Sequence, residues 1–178
     1  MPHLIPFAEV GHLFTEFEHT AWRLETRQGY ASDRQGARFQ MFLRGVQPRP
    51  EPDHPWNVNV RAQTRLGKRF ARVRIIDDPP TDGQRFLLAT AAANVEAGED
   101  IRILARDEAR RLGLPGHDVW LFDSRILVRI HHDGADATLG VEVTDDPARV
   151  LRIRRARDAA WCRATPTAQV WARVRSTV

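Results

Sequence analysis

Between Asn94 and Gly134 the chain reads NVEAGEDIRILARDEARRLGLPGHDVWLFDSRILVRIHHDG, and its apolar residues switch between helical and alternating spacing within short distances. A helix end at Gly98 leads into a strand at Ile101 to Leu104. A brief helix from Ala105 to Leu112 stops at Gly113, and two strands follow, Val119 to Phe122 and Ile126 to Ile130. Asp133-Gly134 then marks a turn into Leu139, Val141 and Val143, the outgoing arm of a hairpin. Strands this short cannot hide their apolar sides alone. They must share one sheet with helices packed against it.

The upstream half fits the same plan. Arg69 to Ile76 alternates as a strand and ends at Asp77-Asp78-Pro79-Pro80, where prolines cannot continue a ladder. Thr81 and Gln84 form a capping-box pair opening a helix with Leu87, Leu88, Ala91 and Val95 as its inward stripe. With the strand at Ile101 this makes a right-handed βαβ unit. Phe7, Val10, Phe14 and Phe17 recur at helical spacing. Beyond Ala21 the period becomes two, with Trp22, Leu24 and Thr26 facing one way and Arg23, Glu25 and Arg27 the other, a half-buried strand. Ser32 or Asp33 caps a helix carrying Phe39, Met41, Phe42 and Leu43, and Pro55 starts another carrying Trp56, Val60 and Thr64. Asp146-Pro147 opens a terminal helix with Val150, Ile153, Ala160 and Trp161 inward. The expectation is an α+β (or α/β) fold: a single mixed β-sheet with flanking helices, a C-terminal antiparallel hairpin and a terminal helix. One domain over residues 1–178 accounts for this, divided into an N-terminal lobe (1–45), a proline-rich loop (45–55) and a main body (56–178).

A chain of 178 residues buries about two-thirds of its unfolded surface and needs no covalent staple. Cys162 is the sole cysteine, so no internal disulfide forms, and its place beside Trp161 predicts a buried, inert thiol in a reducing compartment. No stretch has the pattern of a signal peptide or the length of a membrane span, which predicts a cytoplasmic protein away from membranes. The net charge of +4 comes almost entirely from arginine, Lys68 being the lone lysine. Arginines crowd the chain from Arg149 onward against one acid, Asp158. Such a helix suits an acidic partner, or simply faces water.

The residues do not assemble a reactive signature. His131 and His132 are adjacent on a strand, so their rings point to opposite faces, and no H-E-x-x-H or Cys/His ligand spacing exists; no metal and no cofactor are expected. Neither phosphate-cradling glycine loop occurs, and Ser124 lacks the flanking glycines of a nucleophile elbow. No catalytic residue is therefore assigned. The candidate ligand-contacting residues are Arg23 and Glu25 on one strand face, and His117, Asp123, Arg125 and His131 near strand ends, where open-sheet pockets form. Against a ligand role, Arg23 with Glu25 reads as an exposed ion pair, Asp123 with Arg125 as another, and Asp123-Ser124 as a turn-capping device.

The segments FEHTAWRLE (Phe17 to Glu25), NVEAGEDIRILAR (Asn94 to Arg106), LGLPGHDVWLFDSRILVRIH (Leu112 to His131) and the RRARDAAWCRATP tail resemble an uncharacterised actinobacterial family, a domain of unknown function, over roughly Phe14 to Pro166. Its members are commonly encoded beside Xre-type helix-turn-helix (whiJ-like) regulators. The resemblance implies a small cytosolic protein that works with a DNA-binding partner. A fainter likeness is to degenerate phospholipase-D-like regulatory domains, whose active relatives need H-x-K-x-x-x-x-D. Counting from His117, Val119 stands for the lysine and Ser124 for the aspartate, with Asp123 one position short. Three functions follow as expectations. The first is a non-enzymatic regulatory accessory protein that binds a helix-turn-helix partner or a small effector, with Arg149, Arg152 and Arg155 as the partner surface. The second is a toxin-like hydrolase or degenerate phosphodiesterase-like enzyme built on His117, Asp123 and His131. Direct nucleic-acid binding comes third, without a visible recognition helix.

Overall fold

Six residues near the N-terminus organise the molecule. Thr20–Glu25 (β1) lies in the middle of a seven-stranded mixed sheet, in the order β6-β5-β4-β1-β2-β3-β7. The computed structural model describes residues 3–176 of the chain, with side chains up to residue 174. β2 (Arg69–Ile76) runs parallel to β1, and β3 (Asp100–Ala105) parallel to β2. On the other side of β1, β4 (Val119–Phe122), β5 (Ile126–His132) and β6 (Thr138–Thr144) pair antiparallel in succession, and the short β7 (Thr165–Pro166) edges β3. The α+β architecture of one mixed sheet with flanking helices is what the sequence implies. The first 45 residues do not stand apart as a lobe, because β1 fills the centre of the sheet.

Two layers of helix cover the sheet, and the alternation of each strand divides its apolar residues between them. A 3-10 turn (Phe7–Val10), α1 (Leu13–Glu16) and α4 (Pro55–Arg65) lie on one face against Ala21, Phe70, Trp120 and Phe122. On that face, α5 (Asp82–Ala97) and α8 (Thr167–Ser176) pack beyond β3 through Leu88, Val170 and Trp171. The opposite face holds Trp22, Leu24, Val73, Val119 and Leu121 under α6 (Arg106–Arg111) and α7 (Pro147–Arg163). Both faces of β1 are therefore buried, and the half-buried strand is corrected to a central one. Charges on a parallel strand with two covered faces have no water to reach.

Local signals hold where they concern a single element. Thr81 and Gln84 form the capping box, and Gly98 ends α5 in the left-handed conformation. β2, α5 and β3 make the parallel crossover. Other details differ. The helix expected over Phe39 to Leu43 is split into α2 (Ala31–Arg34) and α3 (Ala37–Leu43), because Gly36 between them is extended. Met41 and Leu43 are exposed, while Phe39 and Phe42 pack edge-on against Phe86. In α5 the buried stripe is Phe86, Leu88, Ala91, Ala93 and Ala97, with Val95 outside, since the helix meets α3 and α4 as well as the sheet. The hairpin turn after Asp133 is held by that carboxylate, which accepts from Ala135 N at 2.8 Å and Ala137 N at 2.9 Å. Cys162 is exposed, not buried, because α7 turns Ala160 to the sheet instead.

The start of α5 is wedged against the loop after β1. A Cβ on Gly83 would lie 2.5 Å from the Gln28 carbonyl oxygen and 2.8 Å from Gly29 Cα, both backbone atoms. Gly83→Ala is therefore expected to destabilise by about 1–3 kcal/mol through overpacking, although alanine favours an exposed helix by about 1 kcal/mol. Chemical denaturation decides it; a more stable variant would mean that this junction is loose.

Candidate functional site

Alternation on β1 puts Arg23 and Glu25 on one face, and the parallel register sets them beside Arg72 and Arg74 of β2. Four charges thus form a patch on the sheet with helices above it. Glu25 is the hub: its carboxylate accepts from Arg72 Nη1 and Arg74 Nε, each at 2.6 Å, and lies 3.1 Å from Arg23 Nε. Arg72 also donates to Glu99 at 2.7 Å, and Glu99 accepts from Trp56 Nε1 at 3.0 Å. Arg74 reaches the Leu87 carbonyl at 2.8 Å. At the other side, Arg23 Nη2 donates to Asp118 at 3.1 Å, and Asp118 accepts from Thr26 N, Thr26 Oγ1 and the Tyr30 hydroxyl at 2.8, 2.9 and 2.6 Å. Three guanidiniums and three carboxylates are joined in one buried net.

Pairing decides their protonation. Burial alone would raise the Glu25 carboxyl, but the charges of Arg72, Arg74 and Arg23 hold it well below the ordinary carboxylate range. Burial would lower Arg23, and Glu25, Tyr30 and Asp118 hold it higher than usual instead. Burial, together with Glu25 and Asp118, pushes the Tyr30 hydroxyl well above its normal value. Groups locked this firmly do not exchange protons near neutral pH. Groups so firmly paired are poorly placed to act as a general acid or base.

Above the net, α4 and the N-terminal turns enclose a pocket of about 640 Å³. Arg23, Glu25 and Arg72 lie at its base, and Phe14, Trp56 and Trp120 line its sides. The Arg23 guanidinium sits 5.3 Å from the Trp120 ring centre, and Arg72 sits 5.9 Å from that of Trp56. Three buried polar atoms in this lining make no hydrogen bond among the described residues: Arg23 Nε, which still faces Glu25 at 3.1 Å, and Trp120 Nε1 and Asn57 Oδ1, which face no such charge. Of these last two, the indole N–H is a donor and the amide oxygen an acceptor.

The remaining sequence candidates go elsewhere. Asp123 and Ser124 form the β4–β5 turn with φ of 51° and 55°. The Asp123 carboxylate accepts from the backbone N–H groups of Glu18, His19 and Thr20 at 2.8, 2.8 and 2.9 Å. Burial would raise its pKa, but these donors hold it lower. Asp123 is thus a structural clamp, and the expected pair with Arg125 does not form; Arg125 is exposed. His117 precedes β4 whereas Asp123 follows it, roughly 20 Å away at about 3.3 Å per strand residue. His117 does approach His131 across the β4–β5 ladder. His131 lies 3.7 Å from Glu142, and Arg149 Nη1 donates to that same carboxylate at 2.5 Å. Val119 is fully buried, and the Ser124 hydroxyl accepts from Arg157 at 2.7 Å. Arg149, Arg152 and Arg155 line a hollow beside α7, where Arg152 and Arg155 are exposed.

Arg72, Arg74 and Glu99 were not singled out by sequence patterns, nor were Asn57 and the tryptophans as a lining. One signal was available. Arg72 and Arg74 are two apart on a strand of a βαβ unit, and such strands are covered on both sides, so their charges must meet partners. Among the described residues no group of acids, histidines and cysteines is arranged to hold a metal ion. No helix there is long and apolar enough to cross a membrane.

Comparison with known proteins gives a family and a fold. Residues 8–172 match a domain of unknown function, DUF6879. No curated protein matches the sequence. Among solved structures, NucT from Helicobacter pylori is similar with a TM-score of 0.54, over 93% of this chain and 97% of that one, at 7% identity. Identity that low carries the fold alone.

Proposed function

The chain belongs to the DUF6879 family, and from that premise we propose that it is a non-enzymatic regulatory accessory protein. It acts in the cytoplasm with a helix-turn-helix transcription regulator, and it binds a small effector in the aromatic pocket above Arg23, Glu25 and Arg72. The observation that carries this reading is the pair of unpartnered buried atoms, Trp120 Nε1 and Asn57 Oδ1, in a pocket whose arginines Arg23, Arg38 and Arg72 each meet a carboxylate. A buried polar atom left unsatisfied costs about 1–3 kcal/mol, and a ligand with one acceptor and one donor would recover it. Volume and lining also suit a small molecule. The regulator itself is part of the proposal and rests on the family resemblance alone.

An enzyme of the hydrolase or degenerate phosphodiesterase type draws less support. It needs His117, Asp123 and His131 around one cleft, and Asp123 lies at the far end of β4 from the two histidines. Val119 occupies the place of the lysine such chemistry uses, deep in the apolar layer.

Co-purification with the adjacently encoded regulator tests the proposal. A complex is expected, together with a change of at least tenfold in the regulator's affinity for its operator. The protein alone is expected not to retard DNA. Absence of a complex with unchanged operator affinity would remove the reading.

A further inference from the structure

A second hollow, of about 880 Å³, lies between α7, β5 and the loop joining α6 to β4. Leu127, Leu151 and Ile153 give it an apolar lining, with Leu151 partly open to solvent, and Arg129, Arg149, Arg152, Arg155 and His117 line it as well. No aspartate or glutamate lines it. Arg149 is satisfied by Glu142 at 2.5 Å. Among the described residues, Arg129, Arg152 and Arg155 form no ion pair. Arginines elsewhere against the sheet differ: Arg23, Arg72, Arg74 and Arg106 each meet a carboxylate.

Two further observations point the same way. Arg129 Nε is buried without a hydrogen-bond partner. Glu142 sits opposite Arg129 in the β5–β6 register, yet its carboxylate is turned to Arg149 and His131. The imidazole of His117 is pushed down to about 4, first by burial and then by Arg129, against the opposing charge of Asp118. A neutral ring beside unmatched cations marks a region of positive potential over an apolar lining.

We propose that this hollow binds a small amphipathic anion, with its carboxylate or phosphate on Arg129, Arg152 and Arg155 and its apolar body on Leu127, Leu151 and Ile153. Guanidinium groups suit either head, since both present paired oxygens to a planar fork. The volume falls within the range of sites for drug-sized ligands. The apolar lining and recessed shape argue against a polynucleotide, whose backbone needs a polar track. This site is separate from the aromatic pocket and does not depend on the effector reading.

Calorimetry with the full chain and four probes built on a ten-carbon chain tests it: decanoate, decyl phosphate, decanol and decyltrimethylammonium. At least one of the two anions is expected to bind at least tenfold more tightly than decanol, and the cation not at all. Which anion binds better distinguishes a carboxylate from a phosphate ligand. Arg152→Gln with Arg155→Gln, both on the exposed side of α7, is expected to weaken binding at least tenfold, as is Arg129→Gln. Arg65→Gln, an exposed arginine on α4 outside both hollows, is expected to leave it unchanged. Failure of both anions to bind, decanol binding as well as decanoate, or full affinity in the double arginine variant would each overturn the proposal.

Discussion

Glu25→Ala is expected to destabilise the protein by about 3–5 kcal/mol, read as a lower midpoint in urea unfolding. The side chain is 3% exposed and meets Arg23, Arg72 and Arg74. Its removal leaves three buried guanidiniums against Glu99 and Asp118, one charge uncompensated far from water. The expected loss is thus the penalty of an orphaned charge rather than the net worth of the intact net, which an apolar replacement of all its members could match. Acid should reveal the same residue. Its carboxyl is held below the ordinary range when folded, so its stabilisation is complete above the unfolded pKa of about 4.3 and disappears as pH falls through the lower folded value. Wild-type stability should therefore fall steeply below about pH 4, and Glu25→Gln should flatten that slope. A loss under about 1 kcal/mol in the alanine variant, with an unchanged acid slope, would show that the net does not hold the sheet.

Asp118→Ala should cost a similar amount, about 3–5 kcal/mol, although Asp118 stands in the turn before β4 and belongs to another segment. It is fully buried and accepts from Thr26 N, Thr26 Oγ1, Tyr30 and Arg23. Losing it strands one backbone donor, two hydroxyl donors and one guanidinium. Asp118→Asn keeps an acceptor oxygen and should lose less. The two alanine changes share Arg23, so a double-mutant cycle should show coupling of about 0.5–3 kcal/mol. Additive behaviour would mean that the two halves of the net act independently.

These residues also show how far local sequence reaches. The capping box at Thr81 and Gln84, the αL glycine at Gly98, the turn at Asp123 and Ser124 and the proline start of α4 and α7 were all legible, because each is settled within a few residues. The pairing of Arg23 with Glu25 was legible too, from the period of a strand. What it meant was not. An alternating strand reads as half-exposed unless something covers its second face, and nothing within β1 says whether that happens.

Sequence by itself determined the main strands, helices and turns and that they share one mixed sheet, though not the break at Gly36 or the short β7. Tertiary structure alone decided that β1 enters between β2 and β4, which turned a surface ion pair into the hub of a buried net and set an aromatic pocket over it. The physical reason is separation along the chain. Glu25 meets Arg74 49 residues away, and Arg23 meets Asp118 95 residues away. Such contacts form only when strand order and register are set, and periodicity, which reports one segment's two faces, carries no record of the partner.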